Sequence, residues 1–205
     1  MEVYHENFYR WSFFDHLLAR GVDPALIQLM VSDGSNGLLA AMGQRLPNAQ
    51  LQRCITHKVR GLKPYLTYQH LPAQDASSQP LEPAAAKQQR RTEIQADAYA
   101  IYEAATREEA HQRLETFVGK WQPLEPQAVH AFQTSVERTF VFYQFDPALH
   151  IHIRTTNLLE RQFREFRAKA DEMGAFPNEG SCLTLFSLVI ERDHAKHNRR
   201  SMAKT

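Results

Sequence analysis

The stretch "VSDGSNGLLAAMGQRLPNAQLQRCITH", residues 31–57, decides the fold. It follows the apolar run Leu26–Val31, which is too short and too apolar for a surface helix and predicts a strand buried on both faces. A short helix over Ser35–Arg45 is predicted next, ended by "LPN", and "AQLQRCI" predicts a second strand that leads into a basic helix, "HKVRGLK". The order strand, helix, strand indicates an α/β layer with Asp33 at the carboxyl end of its first strand.

Three further segments flank this unit. Upstream, apolar side chains at helical spacing predict an amphipathic helix over Glu6–Arg20 that ends at Gly21; they are Phe8, Trp11, Phe14, Leu17 and Leu18. Downstream, the Pro-, Gln- and Ser-rich stretch Pro64–Pro83 predicts a mobile loop. Ala84–Phe117 and Pro126–Tyr143 are helix-rich, and "CLTLFSLVIE", residues 182–191, predicts a last helix before a polar tail.

Composition limits the function classes. With 205 residues, 43% of them hydrophobic and 23% charged, we expect a single soluble domain of mixed class. No apolar run reaches the roughly 20 residues of a membrane span, and residues 1–10 lack a signal peptide, so a cytoplasmic location without a membrane partner is expected. Two cysteines exclude a disulfide framework, and a net charge of +1 means that a nucleic-acid partner must be argued from local patches.

Asp33 is a candidate metal ligand. Ligand sites in open α/β sheets gather at the carboxyl ends of strands, and a carboxylate there suits a hard divalent cation. The alternative is structural, because Asp-Gly is a common turn and the side chain in "SDGS" would cap the next helix equally well. Asp33 alone does not decide between the two, so a second carboxylate is needed.

The candidate partner is Glu160 in "TTNLLERQFREFR". Helical spacing puts Leu159, Phe163 and Phe166 on one apolar stripe, expected to pack on the sheet, and puts Glu160 beside two arginines, Arg164 and Arg167. That face would hold a divalent cation through Glu160 and phosphates through the arginines. Alternatively, Asn157 and Glu160 form a capping box. Arg161 and Glu165 are expected to form a solvated pair on the helix surface.

Four ordered pieces carry a family resemblance: "VSDGSNGLLAA", "QRCITHKVR", "RTTNLLERQFREFR" and "GAFPNEGSCLTL". Together they resemble transposases of bacterial insertion sequences related to the Mutator element, over about Glu6 to Glu191. The resemblance implies a partial ribonuclease H-like core over 1–63 with the second catalytic aspartate, a mobile loop and all-helical insertion over 64–150, and carboxyl-terminal core helices over 151–205 with the catalytic glutamate and a polar tail.

The same resemblance implies the site. Asp33 and Glu160 match two carboxylates of a DDE triad that holds Mg²⁺ or Mn²⁺ for DNA strand cleavage and transfer, so we expect them about 4–8 Å apart. Cys54 and His57 match the family's C-x2-H motif; two residues do not complete a zinc site, so buried packing or support of the active site is the favoured role. The family's first aspartate has no match, since Asp15 and Asp23 are poorly placed. We therefore expect the carboxyl-terminal part of a truncated, frameshifted or split transposase, inactive alone.

The expected partners are double-stranded DNA and either a second copy of the chain or the amino-terminal segment of a transposase. The candidate DNA contacts are basic residues near the two carboxylates: Arg53, Lys58, Arg60, Lys63, Arg154, Arg161, Arg164, Arg167 and Lys169. For each of them a solvated helix face is the alternative. An inactive remnant that binds DNA or intact transposase subunits is the second functional hypothesis.

Overall fold

The structure, a computed structural model, describes residues 13–72 and 81–202, with side chains as far as residue 195. The chain folds as two compact units, Met1–Thr155 and Thr156–Thr205. No helix in the described ranges is both long enough and apolar enough to cross a membrane.

The first unit contains the predicted strand–helix–strand arrangement. Strand β1, Leu29–Ser32, pairs in parallel with β2, Gln50–Arg53, and helix α2, Asn36–Arg45, connects them. Leu29 lies opposite Gln50 and Ser32 opposite Arg53. These two strands form one sheet within the described residues, so the mixed α/β class is confirmed, in a chain that is mostly helical.

The first strand differs from its prediction at its start and in its burial. Pro24–Leu26 forms a 3-10 turn instead of strand, because the Asp23 carboxylate accepts the Ala25 amide at 2.9 Å and fixes the turn. Within the described chain, the apolar residues of β1 are half-buried rather than buried on both faces. A strand with one neighbour leaves part of its surface uncovered.

A small apolar cluster lies against one face of this sheet. Helix α1, described over 13–19, contributes Phe14, which packs with Ala41, Met42 and Leu46 of α2 and the turn after it. The helix ends as predicted near Gly21, whose φ of +89° favours glycine. The predicted contributions of its first turns, before residue 13, lie outside the described residues.

The second part of the first unit is the predicted helical block. Its α-helices are α3, Ile55–Arg60; α4, Pro83–Ala100; α5, Arg107–Trp121; α6, Pro126–Gln133; and α7, His150–Ile153. Between them lie 3-10 turns at Lys63–Tyr65, Ile101–Glu103, Val136–Thr139, Val141–Gln144 and Pro147–Leu149. Buried aromatic side chains form part of the hydrophobic core of this block, among them Trp121, Phe132 and Phe140.

A buried glutamine joins the sheet to the helical block. The Gln52 side chain of β2 is fully buried; its amide donates to the carbonyls of Arg53 (2.7 Å) and Thr139 (3.0 Å), and its carbonyl accepts the Phe142 amide (2.9 Å). All the hydrogen-bonding groups of this buried side chain are therefore engaged, and they fix the register between β2 and residues almost ninety positions later in the chain.

The predicted mobile loop Pro64–Pro83 is ordered as far as residue 72, and residues 73–80 lie outside the described ranges. The reason is Glu125, which is fully buried and accepts hydrogen bonds from the Thr67 amide (2.6 Å), the Thr67 hydroxyl (2.9 Å) and the Tyr68 amide (3.1 Å). Arg90, also buried, lies 3.4 Å from Glu125 and donates to the His70 carbonyl at 3.0 Å. A polar anchor thus orders this stretch despite its low apolar content.

The second unit is a helical hairpin of α8, Asn157–Met173, and α9, Glu179–Met202. The last helix is longer than predicted, since the polar tail continues it. On the apolar stripe, the Phe163 ring stacks on Phe186 of α9 (centroids 5.4 Å apart) and the Phe166 ring meets the same residue edge-on (5.3 Å). Both of these ring contacts are with α9, and Phe166 also stacks on Phe176 between the two helices (6.4 Å); the packing of the stripe on the sheet stays a prediction.

The predicted Arg161–Glu165 surface pair is wrong. Arg161 instead binds both oxygens of the nearly buried Asp193, at 3.2 and 3.0 Å, and Glu165 binds Arg192 at 2.8 Å. Because both partners are on α9, each ion pair ties the two helices together. Spacing along α8 suggested an intrahelical pair, but the neighbouring helix offers better geometry.

Candidate functional site

Asp33 lies one residue beyond the carboxyl end of β1, and it is exposed. Its Oδ1 accepts the Ser35 amide at 3.0 Å, while the hydroxyl of the buried Ser32 accepts the Gly34 amide at 3.3 Å. These two bonds fix the turn that leads into α2. A carboxylate has about four acceptor positions, so the turn occupies one and leaves others for a cation. The capping role and the ligand role are therefore compatible.

Arg53, at the end of β2, lies across the same turn. Gly34 has φ +94°, and a Cβ built on it would stand 2.6 Å from Arg53 Nε, so the guanidinium packs directly on the glycine backbone. Glycine is required here on both counts, the backbone angle and the close approach. The turn thus brings a cationic side chain next to the segment that carries Asp33.

Cys54 and His57 lie at the start of α3, directly after β2. Cys54 is fully buried at the helix N-cap position, and its amide donates to the Ser32 carbonyl at 2.7 Å, which joins it to the end of β1. His57, one turn into the helix, is half-buried. The burial of Cys54 is consistent with the packing role that the sequence favoured.

Glu160 lies in the first turn of α8 and is exposed. The N-cap residue is Thr156, one position before the predicted Asn157, and the Thr156 hydroxyl donates to Glu160 Oε1 at 2.6 Å. The Glu160 amide also donates to the Thr156 carbonyl at 2.9 Å. The glutamate is therefore oriented by the Thr156 hydroxyl, but the predicted Asn157–Glu160 capping box is wrong, because the N-cap residue is Thr156 and its side chain makes no capping hydrogen bond.

Asp33 belongs to the first unit and Glu160 to the second. The structure describes each carboxylate within its own unit, and both are solvent-accessible with defined local hydrogen bonds. The expected separation of about 4–8 Å between them stays a prediction.

The basic residues divide into those that face solvent and those that are engaged by the protein. Lys58 is buried; its Nζ donates to the Ala131 and Thr134 carbonyls, at 2.9 and 2.6 Å, at the end of α6. Burial, aided by the charge of Arg53, lowers the Lys58 pKa to about 8. The expectation that Lys58 contacts DNA is therefore dropped, because its ammonium group is already bound to two carbonyls.

Other candidates are also engaged. Arg161 binds Asp193, Lys169 pairs with Glu172 at 2.7 Å, and Arg154 donates to the Tyr102 carbonyl at 3.4 Å. Arg53 is half-buried, and four further candidates are exposed: Arg60, Lys63, Arg164 and Arg167. Apart from Lys58, the DNA contacts of these basic residues stay predictions.

Sequence reasoning missed two residues that shape this region, Gln52 and Glu125. A glutamine within a short strand and a glutamate directly before the Pro126 helix start are the only signals they give, and both are weak. Their partners lie far away along the chain, so spacing alone does not reveal them.

Comparison with known proteins gives consistent matches. The sequence model of the family described as "Transposase, Mutator family" matches residues 3–77 and 82–200. The chain is 29% identical over 168 residues to the transposase for insertion sequence element ISRM5 of Rhizobium meliloti, covering 82% of the chain and 37% of that protein. It is 30% identical to the IS406 transposase of Burkholderia multivorans (87% and 40% covered) and 27% identical to the IS905 transposase of Lactococcus lactis (95% and 44% covered). The chain thus spans less than half the length of each of these relatives.

Proposed function

The chain belongs to the Mutator family of transposases, and on that premise we propose that it is the part of a DNA transposase that carries two of the catalytic carboxylates, Asp33 and Glu160. One observation carries the assignment of Asp33: its exposed side chain follows the carboxyl end of a parallel strand, held by a turn that leaves acceptor positions open. This is the place where open α/β sheets gather ligands. Under the proposal, the two-stranded sheet is part of a ribonuclease H-like core.

The donor chemistry fits Mg²⁺ or Mn²⁺. Asp33 and Glu160 offer carboxylate oxygens, which hard divalent cations prefer, whereas Cys54 is a soft donor and fully buried. When bound, the metal would polarise the scissile phosphate and activate water or a 3′-hydroxyl. The protein's own contribution is orientation: the Ser35 amide fixes the carboxylate of Asp33, and the Thr156 hydroxyl fixes that of Glu160.

Exposed arginines would position the DNA. Arg164 and Arg167 share the face of α8 adjoining Glu160, and a guanidinium binds phosphate oxygens with two parallel hydrogen bonds. Phosphate contacts of this kind set register on the duplex without reading sequence. Double-stranded DNA is accordingly the proposed substrate class.

The test is metal-dependent cleavage of an insertion-sequence end by the chain supplied with the upstream part of a full-length relative. Asp33→Asn and Glu160→Gln should abolish cleavage, since each removes a carboxylate but keeps the local hydrogen bond. Asp23→Asn is a matched control, because Asp23 accepts the amide two residues ahead of it at 2.9 Å, as Asp33 does at 3.0 Å, but it precedes a turn instead of following a strand. Cleavage that persists in Asp33→Asn would refute the assignment.

A second candidate is a non-catalytic protein that binds DNA or full-length transposase subunits. It is favoured by the exposed Arg164 and Arg167, which would contact phosphates without any catalytic step. A gel-shift assay with duplex DNA at increasing salt tests it, because phosphate contacts weaken as counterion concentration rises. Binding that is absent at low salt, or insensitive to salt, would exclude the phosphate-contact form of this function.

A further inference from the structure

A groove in the first unit lies between α3 with its following turn and α6, and its volume is about 890 Å³. Ligand pockets of roughly 300–1,000 Å³ hold small molecules, so the groove has room for a nucleotide or two but not for a duplex. Its lining residues are Arg53, Lys58, Gly61, Leu62, Pro64, Tyr65, Pro126, Gln127, His130, Ala131, Phe132 and Thr134.

The lining combines cationic and aromatic groups. None of these lining residues is Asp or Glu, and Arg53 is the cationic side chain that a ligand can use, since the Lys58 ammonium is bound to the Ala131 and Thr134 carbonyls. Tyr65 is 49% exposed at one wall, and the buried Phe132 contributes apolar surface. A positively charged groove with an accessible aromatic ring is the combination that binds single-stranded nucleic acid, through phosphates and stacked bases.

Arg53 has an unused donor. Its Nε is buried, and among the described residues nothing accepts a hydrogen bond from it. Buried polar atoms almost always have a partner, so the Arg53 guanidinium has donor capacity that water or a bound phosphate would satisfy. The same guanidinium packs on Gly34, beside Asp33, and also lines the groove. It therefore connects the candidate catalytic turn to the groove.

We propose that this groove binds an unstacked nucleotide of a DNA strand next to the cleavage position, with the Arg53 guanidinium on a phosphate and a base stacked on the Tyr65 ring. The inference rests on the proposed transposase function and adds a specific subsite to it. Arg53 packs on Gly34, the residue after Asp33, and it lines the groove together with Tyr65, so a strand whose phosphate lies at Asp33 would meet Arg53 as it enters the groove.

Hydrogen bonds to the buried Glu125 fix the segment that carries Tyr65. Two residues after Tyr65, Thr67 donates its amide and its hydroxyl to the buried Glu125, which directly precedes the first residue of α6. Both sides of the groove are thus tied to one carboxylate. The groove is therefore preorganised, which lowers the entropic cost of ordering a ligand.

The experiment measures binding of the full chain by fluorescence anisotropy, in buffer without divalent metal. One probe is a labelled oligothymidylate of about 12 nucleotides, a length within the site sizes of single-strand binding folds, and the other is a duplex of equal length. Tyr65→Ala should weaken single-strand binding about tenfold, the effect of losing one stacked base, and should change duplex binding less than about twofold. Tyr65→Phe should keep single-strand affinity because it keeps the ring. Tyr99→Ala is the matched control: Tyr99 is 38% exposed on α4, outside the groove.

A second variant tests the phosphate contact. Arg53→Gln should weaken single-strand binding and lower the slope of log affinity against log salt by about 0.7, the value for one phosphate contact on a single strand. The exposed Arg138, outside the groove, gives the matched control Arg138→Gln, with an unchanged slope. Far-ultraviolet circular dichroism checks that each variant folds.

Three results would overturn the subsite. Tyr65→Ala could bind the single strand as tightly as the unchanged chain does, or it could lose single-strand and duplex binding equally. The third is that free thymidine monophosphate competes as strongly as the oligonucleotide. The last would make the groove a free-nucleotide site. Because these assays contain no metal, they are independent of cleavage. Tyr65-dependent binding without Asp33-dependent cleavage would refute the proposed function alone, and the reverse would refute the subsite alone.

Discussion

Replacing Glu125 with glutamine should destabilise the first unit strongly. The Glu125 carboxylate is fully buried and accepts three hydrogen bonds from Thr67 and Tyr68, and the guanidinium of Arg90, 6% exposed, lies 3.4 Å away. Glutamine keeps the size but removes the negative charge, so Arg90 is left buried without its anion. Breaking a buried ion pair from one side costs about 3–5 kcal/mol.

The expected loss is large compared with the stability of a typical domain, about 5–15 kcal/mol. With an m-value of about 2 kcal/mol/M in urea, it lowers the unfolding midpoint by roughly 1.5–2.5 M. The assay is urea unfolding followed by far-ultraviolet circular dichroism. Glu109→Gln is the control: Glu109 accepts the Ala105 amide and pairs with Arg113, which lowers its pKa, but its side chain is 39% exposed, so the change should cost much less.

A double variant separates the charge pair from the turn contacts. Arg90→Met combined with Glu125→Gln removes both charges, so its cost should be smaller than the sum of the two single variants by about 0.5–3 kcal/mol. A Glu125→Gln midpoint within about 0.5 M of the unchanged chain, equivalent to about 1 kcal/mol, would refute the argument. Strict additivity in the double variant would refute it as well.

Three further predictions use the same urea assay. Gly34→Ala should destabilise the first unit by about 1–2 kcal/mol, since alanine disfavours φ +94° and its Cβ would displace Arg53. Gly43→Ala, on the open face of α2, is the control and should stabilise the unit slightly, so equal effects of the two substitutions would contradict the prediction. Gln52→Leu should cost more than about 2 kcal/mol, because the buried Thr139 carbonyl and Phe142 amide lose their partner at about 1–3 kcal/mol each, and the half-buried Arg53 carbonyl loses its own; a smaller cost would refute that role. The unfolded chain keeps the Lys58 proton to about pH 10.5, but the native chain releases it near pH 8. The free energy of unfolding should therefore rise between these pH values relative to that of Lys58→Met, and a difference between the two chains that does not change with pH would refute the lowered pKa.

Local signals in the sequence account for what was predicted correctly. The strand–helix–strand order of residues 29–53 is confirmed, because apolar runs, "LPN" and the glycine after Asp33 each act over a few residues. The bounds of β1 were wrong by three residues at the start, where Pro24 and the Asp23 side chain build a turn. Family membership is confirmed over nearly the whole chain, since the four pieces quoted for it are ordered motifs rather than a composition.

Long-range polar contacts explain most of what was missed. The spacing of one helical turn predicts that Arg161 pairs with Glu165, yet Arg161 binds Asp193, more than thirty residues away. The charge of Lys58 predicts a DNA contact, yet its ammonium group binds carbonyls at the end of α6. A sequence shows which side chains carry charge, but packing decides whether that charge reaches solvent, and packing involves residues that no local pattern connects.

Asp23 and Asp33 show where local reasoning stops for the candidate site. Each side chain accepts the amide two residues ahead, at 2.9 and 3.0 Å, and each is exposed, so the immediate hydrogen bonding is the same. Only Asp33 follows a strand, and Arg53 of the neighbouring strand packs on Gly34, the residue after Asp33. The capping bond therefore neither supports nor excludes a ligand role. What separates the two aspartates is the edge of a parallel sheet, and for this reason the Asp23→Asn and Asp33→Asn pair tests function rather than turn formation.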